Sequence, residues 1–349
     1  MIGGNYTKQS IVKQIRSKKT LKNIDLILWF VPLILVHLSC FLIASTQRNL
    51  GIADWYQHIF IAYLGSLIAF FLAQVPLDRL RKLLIPFYII TIIMLVSVQL
   101  IGTVGLGAQR WLSFAGFNFQ PSEFAKITSI LMLAAILERQ KSSSLSKLFK
   151  ALLVVLPIWL LVFLQPDLGT SLVFGSILIG MLYWTGIPLE WLFIILSIFV
   201  TGLISFLYNF GLILWISFIA VLAYKSLPNK KILTVLTVCF HLLIAKLTPW
   251  FWTHVLKEYQ RDRLVLFLDP SKDPLGGGYH LIQSTIGIGS GGLSGTGILQ
   301  GQLTKLKFIP EQHTDFIFSA LGEETGFLGT SLVLILFFIL IYRLLKIAI

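Results

Sequence analysis

Asp269-Pro270-Ser271-Lys272-Asp273-Pro274-Leu275-Gly276-Gly277-Gly278-Tyr279-His280 sets two carboxylates four residues apart in a turn-forming stretch. Tyr259-Gln260-Arg261-Asp262-Arg263 stands just before it and Gln283-Ser284 just after. Carboxylates accept protons and pair with cations, and arginines neutralise anions. Such a density of carboxylates, arginines and histidines beside apolar sequence favours a site for a charged ligand. Asp-Pro pairs also start turns and a glycine triplet permits close backbone approach, so a solvated loop is the structural alternative. The segment ends in Pro310-Glu311-Gln312-His313-Thr314-Asp315-Phe316-Ile317-Phe318, where His313 and Asp315 fit the polar start of a helix and add to the site. His280 and His313 are far apart and neither belongs to a ligand pair at helical spacing, which argues against zinc.

Two further polar patches interrupt apolar sequence. In Gly107-Ala108-Gln109-Arg110-Trp111-Leu112 followed by Gln120-Pro121-Ser122-Glu123-Phe124-Ala125-Lys126, Pro121 suits the first turn of a helix. Glu123 and Lys126 are then three apart on one face and can pair. The alternatives are anchoring roles: a snorkelling ion pair for Glu123 and Lys126, and an interfacial contact beside Trp111 for Arg110. In Gln165-Pro166-Asp167-Leu168-Gly169-Thr170, a tight turn, Asp167 suits the N-cap of the next helix.

Gly287-Ile288-Gly289-Ser290-Gly291-Gly292 fits the G-x-G-x-x-G string of dinucleotide sites, but it lacks the strand and βαβ unit that the mechanism needs. Residues 281–299 carry no charge and many glycines. They suit a re-entrant or interfacial helix packed against protein, and Gly287, Gly291 and Gly295 recur four apart as in close helix packing.

The elements that must position these residues are set by composition. The chain has 349 residues, 56% hydrophobic and 12% charged, with 27 Phe and 9 Trp. An ordinary soluble domain carries about 25% charged residues, so a soluble globular protein is excluded. Apolar runs at about 26–44, 58–75, 83–101, 122–137, 151–164, 169–185, 192–208, 211–224, 232–248 and 316–341 predict about ten spans. The first is too long for a signal-peptide core. The expectation is an all-α polytopic membrane bundle. Residues 1–25 form a basic cytoplasmic tail, 26–349 one transmembrane domain, and 249–315 one long extracytoplasmic loop containing the re-entrant or interfacial helix.

The formal charge of +13 would suggest nucleic acid in a soluble protein. Here most of the basic residues set topology. With the N-terminus inside, the tail, Arg79, Arg81, Lys82, Arg139, Lys141, Lys147, Lys150, Lys225, Lys230, Lys231, Arg343 and Lys346 all fall on the cytoplasmic side. The short outer loops keep Arg48 and Arg110. No nucleic-acid partner is expected. Cys40 and Cys239 lie in apolar runs and support neither a disulfide framework nor a metal site.

With these motifs the chain resembles the SEDS family (shape, elongation, division and sporulation), its RodA branch more than its FtsW branch. The resemblance rests on an ordered set: Gly-Ala-Gln-Arg-Trp at 107–111, Pro-Ser-Glu-x-x-Lys at 121–126, Gln-Pro-Asp-Leu-Gly-Thr at 165–170, Asp-Pro-x-x-Asp-Pro-x-Gly-x-Gly-Tyr at 269–279, Gln-Ser at 283–284, and His-Thr-Asp-Phe-Ile-Phe at 313–318. Gly-Tyr-His-x-x-Gln-Ser with Ile-Gly-Ser-Gly-Gly, at 278–292, is similar to the RodA branch.

The resemblance implies a peptidoglycan glycosyltransferase of the bacterial inner membrane that polymerises lipid II on its outer face during elongation and shape maintenance. It further implies a class B penicillin-binding protein and other elongation-complex membrane proteins as partners. The family's essential carboxylate falls on Asp273, which the resemblance makes the general base. Arg110, Lys126 and Arg263 then face the pyrophosphate, with Glu123, Gln283, His313 and Asp315 in support. No dedicated metal site is expected, and a divalent cation, Mg or Mn, is the one cofactor admitted.

Two departures from the family pattern stand out. A hairpin at about 209–248 is inserted before the long loop, and as a pair of spans it keeps the loop outside. The chain is also expected to lack the family's last two spans. A flippase for lipid-linked precursor, and an inactive SEDS protein that retains partner binding, are the alternative readings.

Overall fold

The computed structural model describes residues 25–47, 54–105, 108–114, 117–138, 145–165, 167–207, 209–256, 258–306, 308–309 and 311–348. The basic tail through residue 24, Arg48, Arg139 and Lys141, and Gly107, Pro166 and Pro310 of the motifs lie outside the described residues. The ten apolar runs form ten long helices: α1 (Leu26–Gln47), α2 (Asp54–Gln74), α3 (Leu77–Ile101), α4 (Pro121–Glu138), α5 (Leu145–Leu164), α6 (Leu168–Trp184), α7 (Leu189–Leu207), α8 (Asn209–Ser226), α9 (Lys230–His254) and, after the long loop, α13 (Ile317–Ala348). Seven of them are long and apolar enough to cross a membrane, and Leu168–Trp184 and Phe210–Ser226 are shorter apolar helices. The chain is a multi-pass, all-α membrane protein. α4 has 18 residues and carries Glu123, Lys126 and Glu138.

Contacts divide the chain into two compact units. Pro76–Arg261 is one; the chain up to Val75 together with Asp262 onward is the other. The core of the first is built by Leu95, Leu133, Ile158, Phe174 and Leu182 from α3 to α6. Three hydrogen bonds tie polar side chains across it, as an apolar surrounding favours. The Tyr88 hydroxyl donates to the Val154 carbonyl at 2.7 Å, Gln165 Nε2 to the Leu95 carbonyl at 2.9 Å, and Trp159 Nε1 to Ser171 Oγ at 2.7 Å. Farther along, His241 of α9 is buried against Thr201 and Ser197 of α7, and Trp215 of α8 donates to Thr201 Oγ1 at 3.1 Å. The α8–α9 hairpin is therefore tied to α7 by hydrogen bonds as well as by packing.

Between α3 and α4 the chain forms a small antiparallel sheet that the apolar pattern did not predict. It consists of β1 (Thr103–Gly105), β2 (Ala108–Phe114) and β3 (Phe117–Phe119), with Thr103 opposite Trp111 and Leu112 opposite Phe119. Alternation along β2 puts Arg110 and Leu112 on one face and Gln109, Trp111 and Ser113 on the other.

In the second unit α1 packs on α2 and α13, and the long loop folds back through α10 (Glu258–Leu268), α11 (Tyr279–Ser290) and α12 (Gln302–Leu306). α9 continues through Pro249 to His254, so the loop starts later than residue 249. α11 is shorter than the 281–299 helix expected. It stops where Gly291 and Gly292 remove the side chains that would hold another turn, and Gly292 and Gly295 take positive φ. α13 is broken at Gly326, with φ 64° and ψ −160°.

The glycine spacing is a packing device at two of its three positions. A Cβ on Gly291 would run into the Gly322 carbonyl, and one on Gly295 into the Glu324 carbonyl; at Gly287 the nearest atom would be an ordinary 3.7 Å away. Gly291→Ala is expected to lower stability by about 1–3 kcal/mol through overpacking. Gly289→Ala, which meets nothing within 4 Å, should be neutral or slightly stabilising. Thermal melts of the two variants in detergent check this, and equal midpoints would reject the packing role.

Candidate functional site

The loop after α10 is organised around Asp273. A 3-10 turn, Pro270–Lys272, opens with Asp269 as its cap and closes on Asp273. The hydrogen bond from the Ser271 side chain, helped by the Ser271 N–H and the Lys272 charge against a desolvation cost, holds the Asp269 carboxyl below the usual carboxylate range. Asp273 turns its carboxylate onto the glycine triplet. Oδ1 accepts the Gly276 N–H at 3.0 Å, Oδ2 accepts the Gly277 N–H at 2.7 Å, and the Asp273 carbonyl accepts the Gly278 N–H at 2.9 Å. The side chain is exposed, and each oxygen keeps lone-pair capacity toward solvent.

The triplet lets the chain pass close to Asp273 and α10, most tightly at Gly278, which meets backbone. A Cβ at Gly276 would overlap the Asp273 carboxylate, one at Gly277 would meet Leu266 Cδ1 of α10 at 2.5 Å, and one at Gly278 would stand 2.7 Å from the Asp273 carbonyl. The sequence indicated close backbone approach, and the structure identifies what approaches.

The other expected residues of this unit lie on α10, α11 and the turn before α13. Arg263 is exposed on α10, three residues from buried Leu266 and therefore on the helix face that meets Gly277. Gln283 lies half-buried one turn into α11, where neighbouring Ser284 Oγ is hydrogen-bonded to Ser319 of α13. His280 stacks on Phe316, with ring centroids 5.8 Å apart and planes at 21°, which draws the 311–316 turn to the start of α11. In that turn His313 Nε2 is 4.0 Å from Glu311 Oε2, and Asp315 is exposed two residues ahead of α13.

Two residues missed by the sequence reading hold this arrangement from below. Glu323 and Glu324 are both 2% exposed inside α13. Glu323 Oε1 accepts the Leu303 N–H at 2.7 Å, and Oε2 accepts the Thr304 N–H at 2.9 Å and the Thr304 hydroxyl at 2.6 Å, so this carboxylate caps α12. Gln312 Nε2 donates to Thr304 Oγ1 at 3.1 Å, which links the cap to the residue before His313. Glu324 accepts the Ser45 hydroxyl of α1 and, at 3.2 Å, the Leu299 N–H. The available signal was two carboxylates in an otherwise apolar run, which membranes tolerate only when satisfied.

In the Pro76–Arg261 unit Arg110 and Asp167 come together. Arg110 Nε is 3.8 Å from Asp167 Oδ2, with side chains 23% and 9% exposed. Asp167 is also the N-cap of α6: Oδ1 accepts the Thr170 N–H at 3.2 Å and Oδ2 the Thr170 hydroxyl at 2.9 Å. Gln120 Nε2 reaches the same Oδ2 at 3.4 Å. The capping role expected from sequence is present, and the cap doubles as counter-ion to Arg110. Pro121 opens α4, and Lys126 Nζ pairs with Glu123 at 2.8 Å. Asp167→Ala is expected to destabilise by about 1–2 kcal/mol as a lost cap and to remove the carboxylate 3.8 Å from Arg110 Nε. Asp167→Asn, which keeps an acceptor for Thr170, should recover most of the stability. Paired melts decide between them, and no difference between Ala and Asn would reject the cap.

A family profile described as cell cycle protein, FTSW_RODA_SPOVE, matches residues 19–212 and 209–349. The two stretches overlap at the start of α8, and the second includes the α8–α9 hairpin. The peptidoglycan glycosyltransferase MrdB of Escherichia coli (strain K12) is 36% identical over 312 residues, covering 89% of this chain and 71% of that protein. The peptidoglycan glycosyltransferase RodA of Treponema pallidum (strain Nichols) is 35% identical over 265 residues, covering 68% of this chain and 61% of that protein. A chain of the solved structure "Structural coordination of polymerization and crosslinking by a peptidoglycan synthase complex" superposes with a TM-score of 0.61 at 27% identity, covering 92% of this chain and 77% of that one.

Proposed function

The chain belongs to the FtsW, RodA and SpoVE family of cell cycle proteins, and from that membership we propose that it is a peptidoglycan glycosyltransferase of cell elongation with Asp273 as its general base. The observation that carries the assignment is the exposed Asp273 carboxylate, fixed by two backbone N–H groups at 3.0 and 2.7 Å. A base works when it is held within hydrogen-bond reach of the proton it takes. The glycine cradle fixes its position without spending its remaining lone pairs.

The substrate is lipid II, an α-linked glycosyl pyrophosphate, and the product bond is β-1,4, so the anomeric centre inverts. One displacement suffices. The Asp273 carboxylate takes the proton of the acceptor sugar hydroxyl, the hydroxyl oxygen bonds to the donor anomeric carbon, and the bond from that carbon to the pyrophosphate oxygen breaks. The leaving group departs with the negative charge. Arg263, on the helix before the Asp273 loop, neutralises it, the guanidinium fork suiting phosphate oxygens. Gln283, His313 and Asp315 provide polar support beside the acceptor.

A Mg or Mn ion on the pyrophosphate belongs to the same proposal. Magnesium is ordinarily held by one or two carboxylates together with substrate phosphates, and among the described residues no three His, Cys, Asp or Glu side chains group as ligands. Such an ion would be held chiefly by the substrate phosphates and would supply charge neutralisation at the leaving group, with Asp273 kept as the base.

The distribution of basic residues along the sequence supports a cytoplasmic N-terminus and an Asp273 loop on the outer side of the inner membrane. A class B penicillin-binding protein, with its transpeptidase domain on that outer side, is the partner proposed to cross-link the strands. The test is reconstitution of the full chain with lipid II and such a partner, with glycan polymer resolved by gel. Polymer is the expected product. Lipid II movement across the bilayer without polymer would replace this reading with a transporter, and neither activity would leave a scaffold.

A further inference from the structure

The end of the Pro76–Arg261 unit opposite its sheet carries a second feature that glycosyl transfer does not use. Lys147, in the first turn of α5, is 4% exposed, and its Nζ donates to the Thr185 carbonyl at the C-terminus of α6, 3.3 Å away. An ammonium has three donors. Among the described residues no carboxylate lies within 4.0 Å of this one. Lys147 lines a cavity of about 310 Å³ whose apolar walls are Ala134 and Leu137 of α4 and Met181 and Trp184 of α6. Glu138 reaches the same cavity, but its carboxylate is paired with the Arg81 guanidinium.

A lysine at a helix C-terminus accounts for one donor, since it satisfies a terminal carbonyl. It does not account for burying the rest of the ammonium beside an apolar cavity, because a buried charge without a counter-charge is costly. The surroundings add to the excess. Arg79, Arg81, Lys82, Lys150, Lys225, Lys230 and Lys231 lie at this end of α3, α5, α8 and α9, against Asp78, Glu138 and Glu190. Trp184 is 55% exposed at the mouth, and an amphipathic ring of that kind sits at headgroup level.

We propose that this cavity binds one anionic glycerophospholipid, its phosphate on Lys147 Nζ and the upper part of an acyl chain against Ala134, Leu137, Met181 and Trp184. The ammonium calls for a compact anion. The apolar walls call for one that carries hydrocarbon, which favours a lipid over free phosphate, and basic pockets between spans are a known form of lipid headgroup site. The cationic surround selects a headgroup with net negative charge over a zwitterionic one.

The test is native mass spectrometry of the full chain in detergent, titrated separately with phosphatidylglycerol, phosphatidylcholine and inorganic phosphate. One phosphatidylglycerol per chain should be retained, with phosphatidylcholine about tenfold weaker and inorganic phosphate not competing. Lys147→Met, close in volume, should weaken phosphatidylglycerol about tenfold, while Lys246→Gln, exposed and far along α9 from this basic end, leaves it unchanged. Ala134→Trp keeps the ammonium but fills the cavity; it should expel the lipid and decides the matter where Lys147→Met yields no monodisperse protein. Equal retention by wild type, Lys147→Met and Ala134→Trp would overturn the site, as would no retained lipid. Competition by inorganic phosphate at matched concentration would overturn the lipid assignment.

Discussion

Asp273→Asn is expected to reduce glycan polymerisation by about 10²- to 10⁴-fold, the range a positioned general base supplies, while the protein still folds. The substitution keeps the side-chain shape and removes the proton acceptor. Its amide nitrogen also faces the Gly277 N–H where Oδ2 now accepts at 2.7 Å, so one of the two cradle bonds is lost as well. The position is exposed, and such a loss should lower stability by only about 1 kcal/mol. Activity and folding therefore separate: reconstituted polymer falls to background while the thermal melt barely moves. Asp273→Glu sharpens the case. It restores the carboxylate but pushes it past the Gly276 and Gly277 N–H groups, and a misplacement of that size costs about 10²-fold. Polymer formation by Asp273→Asn at the wild-type rate would sink the assignment of Asp273 as base.

The spans were legible because each is a run of apolar residues near the length a bilayer demands, a signal carried by composition alone. Pro121 and Asp167 were legible for a related reason, since a helix start prefers particular residues at fixed offsets. The sheet at 103–119 was not. Its strands are three to seven residues long, and the span-length pattern has no purchase on pieces so short. The partnership of Arg110 with Asp167 joins residues 57 apart in sequence (167 minus 110), a separation over which local spacing says nothing. The glycine triplet announced a close approach, yet which group approached depended on the turn made by Asp269 to Asp273.

The buried glutamates of α13 were hidden for a different reason. Their partners are mainly backbone N–H groups of Leu299, Leu303 and Thr304, and every non-proline residue carries that donor, so nothing in the sequence marks these three. This makes Glu323→Ala the substitution with the largest expected effect on stability. It strands the Leu303 N–H, the Thr304 N–H and the Thr304 hydroxyl in a site where Glu323 is 2% exposed. At about 1–3 kcal/mol for each buried unsatisfied donor, the loss should be roughly 3–9 kcal/mol. Glu323→Gln should fall between, since its amide oxygen still accepts from one side while its nitrogen opposes the other. Gly301→Ala should act in the same direction, because a Cβ there would stand 2.8 Å from Glu323 Oε2. The effect should also reach the candidate site. With Thr304 released, Gln312 loses its 3.1 Å hydrogen bond, and the turn bearing His313 and Asp315 should become open to protease before the bundle melts. Melting curves and limited proteolysis in detergent give both readouts. A Glu323→Ala protein that melts with the wild type and resists cleavage in that turn would show that the carboxylate does not hold the loop.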